Sequence, residues 1–240
     1  MGSCEIRFGQ KQDYHVLNPL PSLYPNQLAE TKDVWSDEMT RSLWAKSFLL
    51  AVVYFIVVIV IAHFAVPSGY DWRDNTISEL ASQGHTYKWI MQSGLIGFGG
   101  ILLVGVFGYF REDTKRYYLV FMALYALSIL LSGIFCTAPV GPNLPFSVQE
   151  SNLHSLFATI AGIAMSLGIL WQVFASSNSR ERWIRIALLV LVGGLSGLFG
   201  LAENKILTLD KGIVQRLLYL IGLTWIVYEE RMLLQTKEIS

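Results

Sequence analysis

Phe48 to Ala65 reads FLLAVVYFIVVIVIAHFA, and His63 is its only ionisable residue. At about 1.5 Å per residue such a run makes a helix of roughly 27 Å, close to the thickness of the hydrocarbon core of a bilayer. No polar face recurs at 3.6-residue spacing, so the run does not fit the surface helix of a soluble domain. It is read as a first membrane span, and every later segment is read against it.

The rest of the composition agrees. The chain is 53% hydrophobic and 15% charged, with a mean hydropathy of +0.45. Soluble domains carry about 25% charged residues, so this chain falls in the membrane class. A formal net charge of zero argues against a nucleic-acid partner, which needs a basic surface. The two cysteines, Cys4 and Cys136, fall on opposite sides of the expected topology, and neither a mutual disulfide nor a metal-type spacing is expected. The first residues lack the charged, apolar and cleavage regions of a signal peptide. Gly2 is followed by Ile6 where a myristoylation motif has Ser or Thr.

Residues 1–40, with Pro19, Pro21 and Pro25 close together, are expected to form a largely irregular cytoplasmic tail. Residues 41–235 are expected to form the membrane domain and 236–240 a short cytoplasmic tail. The predicted spans cover about 46–65, 89–110, 117–137, 154–175, 185–202 and 212–230. The fold class is therefore all-α, a polytopic bundle of six transmembrane helices. The first outer loop, PSGYDWRDNTISELASQGHTYK, holds a capping-box pattern, Thr76 followed three residues later by Glu79, with Gly84 as a stop signal. A short interfacial helix is predicted over 77–83.

Orientation follows from Lys and Arg in the short loops. One side carries Arg41, Lys46, Arg111, Lys115, Arg116, Arg180, Arg182, Arg185, Arg231 and Lys237; the other carries Arg73, Lys88, Lys205, Lys211 and Arg216. The richer side is assigned to the cytoplasm, which places both termini there in a multi-pass protein of the cell (inner) membrane. Ser93 and Gly97, Ala158 and Gly162, Ala164 and Gly168, and Gly193 and Gly197 are small-xxx-small pairs. They predict close packing of the second, fourth and fifth spans.

The centres of the predicted spans hold no Asp, Glu, Lys or Arg, which argues against an ion-coupled pump. Polar groups gather at the outer edge instead. His63 ends the first span, and Asp71, Asp74, Asn75, Ser78 and Glu79 occupy the first loop. Glu150, Asn152 and His154 lead into the fourth span, Glu203 and Asn204 end the fifth, and Gln215 and Arg216 open the sixth. Bundled spans would bring these into an outward-facing concavity, with Asp71, Asp74, Asn152, Glu203 and Arg216 as ligand-binding candidates. His154 as general base, with Ser78 as nucleophile and Glu79 in support, defines a catalytic alternative. Thr76 and Glu79 also serve as a plain helix cap, and Arg216 also fits a snorkelling side chain or a partner of Glu203. Two histidines without HExxH-type spacing do not make a zinc site, and a haem between them has no support in their spacing, so no metal or cofactor is expected.

PSGYDWRDNTISELASQG followed by QSGLIGFGGILLVGVFGYF resembles the opening of a bacterial and archaeal membrane family known as domain of unknown function 998. GIFCTAPVGPNLPFSVQESNLHSLFATIAG is similar to that family's connection between its third and fourth spans, and KGIVQRLLYLIGLTWIVYEERML is similar to its last span. The likeness covers about residues 45–235. It implies a six-span bundle and directs attention to Asp71, Ser78, His154 and Arg216, without bringing an activity. Ala138 stands where the family often has Asp, and Ser93 where it often has Asn. Two function classes remain open. One is binding or translocation of a lipid or other amphipathic molecule, with membrane lipids as partners; the other is a membrane-embedded hydrolase or transferase. A structural or assembly subunit is the plain alternative.

Overall fold

The computed structural model of the chain describes Trp44 and residues 46–112, 117–141 and 144–235. All of them belong to one compact unit, Met39–Ser240. The expected N-terminal tail, Cys4, most of the basic turn after the second span and the last five residues lie outside the described residues. Six α-helices and no strand occur among those described: α1 Lys46–Ala62, α2 Lys88–Glu112, α3 Tyr118–Ile134, α4 Val148–Ala175, α5 Ser179–Glu203 and α6 Lys211–Gln235.

Three of these helices are long and apolar enough to cross a membrane: α2 over Lys88–Phe110, α4 and α5. The helices α1 and α3 are apolar but shorter. At 17 residues, α3 is about 26 Å long. The sixth has ample length, 25 residues, but carries Lys211, Arg216, Glu229, Glu230 and Arg231. A charge-free stretch remains only between Leu217 and Tyr228.

Helix ends depart from the predicted spans because capping extends a helix beyond its apolar run. The start of α4 is Val148, six residues earlier than expected, since the Ser147 hydroxyl accepts the Glu150 N–H at 3.3 Å. Glu150 then sits in the first turn, where its charge complements the helix dipole. Glu150, Asn152 and His154 are thus part of α4 and do not lead into it. In the same way Asn178 accepts from the Arg180 N–H at 3.0 Å and starts α5 at Ser179.

Despite its charges, α6 packs one face deep against the others. Trp225 and Ile226 are fully buried. The Trp225 ring meets Tyr125 of α3 edge-on, with centroids 6.2 Å apart, and its indole N–H donates to Gln172 Oε1 of α4 at 3.1 Å. Tyr219 lies 5.4 Å from Phe55 of α1, and Phe55 stacks on Phe98 of α2 at 4.8 Å. An aromatic chain therefore crosses α1, α2, α3 and α6. Such pairs contribute about 0.5–1.5 kcal/mol each beyond simple burial.

Glycine marks the closest seams, and not all where the pairs predicted. A Cβ on Gly99 of α2 would strike the Ala126 carbonyl of α3, and one on Gly133 of α3 would strike Leu95 and Ile96 of α2. Between helices, the backbones of the second and third thus approach closely. Gly168 of α4 packs on Phe121 and Trp225, as its pair implies. Gly97 accommodates the Tyr54 ring of α1. Gly162, Gly193 and Gly197 face open space, so α5 is not closely packed through its glycines. Small residues permit close approach without enforcing it. Large apolar side chains are exposed on every helix, among them Val57, Phe107, Leu124, Ile163, Val190 and Leu220. An apolar surface of that extent is the kind that lipid covers.

Candidate functional site

The connections after α1, α3 and α5 meet at one end of the bundle, here termed the cap end. The Gln83 side chain joins the first two, donating to the Ser147 carbonyl at 2.9 Å and accepting the Ser147 N–H at 2.8 Å. The Gln83 N–H donates to the Thr137 carbonyl at 3.0 Å. Gly212, at the start of α6, lies against the first connection so closely that a Cβ would run into the Trp72, Arg73 and Asn75 carbonyl oxygens.

Within the first connection the capping box forms as its sequence implies. Thr76 Oγ1 accepts the Glu79 N–H at 3.3 Å, and Glu79 Oε2 accepts the Thr76 N–H at 2.5 Å. The element it starts is a single 3-10 turn, Ser78–Ala81, shorter than the predicted helix. The turn ends at Ser82, whose backbone is extended, so the expected stop at Gly84 falls two residues later, where φ is +77°.

Arg216 organises the space between this connection, α1 and α6. Its Nη1 donates to the Asn75 carbonyl at 3.0 Å and the Gly212 carbonyl at 2.9 Å. Its Nη2 donates to the Tyr70 hydroxyl at 2.7 Å and approaches His63 Nε2 at 3.2 Å. Since the guanidinium only donates, His63 Nε2 must be the accepting nitrogen. His63 Nδ1 then carries the proton and donates to the Ile59 carbonyl at 2.7 Å. The Trp72 ring lies 5.9 Å from the guanidinium. Burial raises the Tyr70 hydroxyl pKa, and the Arg216 charge opposes that rise. Tyr70 is therefore a neutral post whose hydroxyl donates a hydrogen bond to the Thr76 carbonyl at 3.1 Å.

Beside this lies an ion-pair relay. Lys211 Nζ reaches Glu79 Oε1 and Glu203 Oε2, each at 3.2 Å. Glu203 thus pairs with Lys211, while Arg216 is held by neutral groups and the first connection. Asp71 accepts the Arg73 N–H at 2.9 Å and shapes its own turn. Asp74 and Asn152 are exposed and have no polar partner among the described residues. The ligand-binding candidates thus separate into a closed network around Arg216 and exposed groups around it.

The catalytic candidates do not join one another. Ser78 Oγ lies 3.1 Å from Thr76 Oγ1. His154, which is buried, places Nδ1 at 2.7 Å from the Ser132 carbonyl and 3.0 Å from the Phe135 carbonyl, capping the end of α3. No hydrogen bond links His154 to Ser78 among the described residues. Nearby, Glu150 Oε1 accepts the Cys136 N–H at 2.9 Å, and the buried Cys136 thiol lies within reach of Glu150 and Lys88.

A lateral groove of about 490 Å³ opens between α1 and α2, lined by Tyr54, Trp89, Gln92, Ser93, Ile96 and Gly97. The Tyr54 hydroxyl donates to the Ser93 carbonyl at 2.9 Å across its floor. Gln92 Nε2 donates to the Gly133 carbonyl at 3.2 Å, and Ser93 Oγ donates to the Ile90 carbonyl at 2.6 Å. Sequence reading noted Ser93 and Gly97 as a packing pair, and Ser93 as a departure from the family resemblance; nothing in one helix's pattern reveals which residue of another lies across it.

At the opposite end a second polar cluster joins α4, α5 and α6. Arg185 is bonded to Ser176 Oγ, pairs with Glu181 at 3.5 Å and approaches buried Glu229 at 3.7 Å. The Tyr228 ring lies 5.8 Å from its guanidinium. Sequence reading counted Arg185 as a loop charge and did not single out Glu229. Among the described residues, no group of three or more His, Cys, Asp or Glu side chains is placed to hold a metal ion.

These features define an all-α protein of membrane type, with apolar helices, a hydrogen-bonded cap and a polar-floored lateral groove. The chain belongs to the family described as "Protein of unknown function (DUF998)", whose model matches residues 49–228. No curated protein and no solved structure matches it.

Proposed function

We propose that this protein crosses the cell membrane six times and holds a lipid or other amphipathic molecule in the cap-end half of the bundle, at the groove between α1 and α2. The groove carries the proposal, because its position joins an apolar wall to a few fixed polar groups. Ser93 and Gly97 lie five and nine residues beyond the start of α2, about 7 and 13 Å along the helix axis. Trp89, 62% exposed at the rim, is the residue type that favours the interface. The volume lies within the range of about 300–1,000 Å³ typical of small-molecule sites.

The sixth crossing is consistent with the placement of its charges. Arg216 is hydrogen-bonded within the cap, and Glu229 lies beside Arg185, so neither need face hydrocarbon. The Lys and Arg distribution assigns the cap end to the outside and both termini to the cytoplasm.

Two measurements test this. Lipid analysis of the full chain, purified in mild detergent, should recover a bound amphipath that is depleted in the Ile96→Trp variant, in which a large ring fills the groove. Recovery of equal lipid from both would remove the groove from the proposal. A reporter fused after Ser240 should behave as cytoplasmic, and an extracytoplasmic signal would invert the topology.

A second function, membrane-embedded hydrolysis or group transfer, has one observation in its favour. The two carbonyls that hold His154 Nδ1–H leave Nε2 as the basic nitrogen of a fixed ring. A serine-reactive fluorophosphonate probe tests it. Labelling that survives in His154→Gln would exclude His154 as the base.

A further inference from the structure

We infer that the α1–α2 groove selects an uncharged lipid with a free hydroxyl head, of the diacylglycerol type, over phospholipids. The inference rests on the amphipath reading above and adds the chemical class of the occupant.

Charge gives the first argument. None of the six lining residues is ionic. Lys88, the nearest cation along the chain, is within reach of the Cys136 thiol and is not among the lining residues. Arg216 has its four terminal contacts within the cap. A phosphate placed among the six lining side chains would therefore meet no cationic one and lose hydration there without compensation.

The hydrogen-bond inventory gives the second argument. The Ser93 and Tyr54 hydroxyl protons are committed to backbone carbonyls at 2.6 and 2.9 Å. Gln92 donates through Nε2 to Gly133 at 3.2 Å, which fixes the amide orientation and leaves Oε1 as an acceptor with no protein donor among the described residues. Oxygen lone pairs also remain on Tyr54 and Ser93. The lining thus offers acceptors on Gln92, Tyr54 and Ser93 and one indole donor, Trp89 Nε1–H. A lipid hydroxyl can donate to Gln92 Oε1 while an ester carbonyl accepts from Trp89. A phosphodiester, which only accepts, matches the indole and not the three acceptors.

Gly97 and Ile96 give the site its shape. A Cβ at Gly97 would strike the Tyr54 ring and hydroxyl, so glycine there allows the tyrosine to lie flat as the floor. Ile96, 37% exposed, forms the wall that a chain would pass.

The test uses the full chain in nanodiscs with three photoactivatable lipids bearing the same diazirine acyl chain: a diacylglycerol, a phosphatidylcholine and a phosphatidylglycerol. Crosslinks are mapped by peptide mass spectrometry and compared with those on Val190, an exposed residue of α5. The diacylglycerol should label the 89–97 segment preferentially, and excess dioleoylglycerol should compete. Gln92→Leu should weaken this labelling by about fivefold to tenfold, the loss expected for one hydrogen bond. Gln92→Glu, which keeps an acceptor, should retain more of it. Equal or stronger labelling of this segment by phosphatidylglycerol overturns the lipid class while leaving the amphipath reading intact. Labelling no greater than at Val190 with every lipid overturns both.

Discussion

Arg216 and Arg185 stand at opposite ends of the bundle in different electrostatic settings. Around Arg216, four terminal contacts run to two carbonyls, a hydroxyl and an imidazole, and none to a carboxylate. Around Arg185, Glu181 and Glu229 lie at 3.5 and 3.7 Å, with Glu229 only 1% exposed. The first guanidinium is half-buried and held by geometry. The second is buried beside an acid whose own burial depends on a cation. Removing a hydrogen-bonding post costs the bonds it made, whereas removing one partner of a buried charge pair strands the other.

The largest expected effect therefore lies at Arg185. Arg185→Met should destabilise the protein by about 3–5 kcal/mol, the usual cost of breaking a buried ion pair from one side. The double variant with Glu229→Met should recover most of it, because both charges are then gone. Thermal unfolding of the two variants in one detergent measures this, and a double variant no better than the single would mean that packing, not charge, ties α5 to α6.

Arg216→Lys should cost about 1.5–3 kcal/mol, since lysine keeps the charge and cannot make the same forked set of contacts. Hydrogen exchange should rise chiefly over residues 70–79. A loss as large as that at Arg185 would erase the contrast between the two ends.

His63 should matter less, by about 0.5–1.5 kcal/mol for one hydrogen bond. Exchange in the 70–79 segment should quicken in His63→Leu and stay near the parent rate in His63→Gln, which retains an acceptor oxygen for Arg216.

Lys211 should show the smallest effect, about 0–1 kcal/mol, as its ion pairs are partly solvated. Burial alone would lower its pKa, but the Glu79 and Glu203 carboxylates outweigh burial and raise it above the ordinary 10.5. Its contribution is therefore complete below that value and lost as the pH rises through the elevated one. Lys211→Met should abolish this alkaline loss of cap protection while leaving neutral-pH exchange nearly unchanged.

Much of the cap was legible before any coordinates. Thr76 and Glu79 act as their local pattern implies, because a capping box is completed within a few residues. Other features required partners far along the chain. Arg216 was singled out, but its posts, His63 and Tyr70, are more than 140 residues away. Gly193 and Gly197 matched a packing motif and face open space, while Gly99 and Gly133 make a close seam. A motif on one helix states what it permits; only the facing helix makes the contact.

The same division holds for the whole molecule. Runs such as Phe48–Ala65 and the scarcity of charge set an all-α, apolar architecture, since backbone polar groups in lipid must be satisfied within each segment. That requirement is local, so the order of residues alone meets it. The burial of α6, the neutral setting of Arg216, the pairing of Arg185 with Glu229 and the groove between α1 and α2 arise from which helices become neighbours. Those outcomes depend on side chains meeting across distances that no periodicity records, and they place the chemistry where it stands.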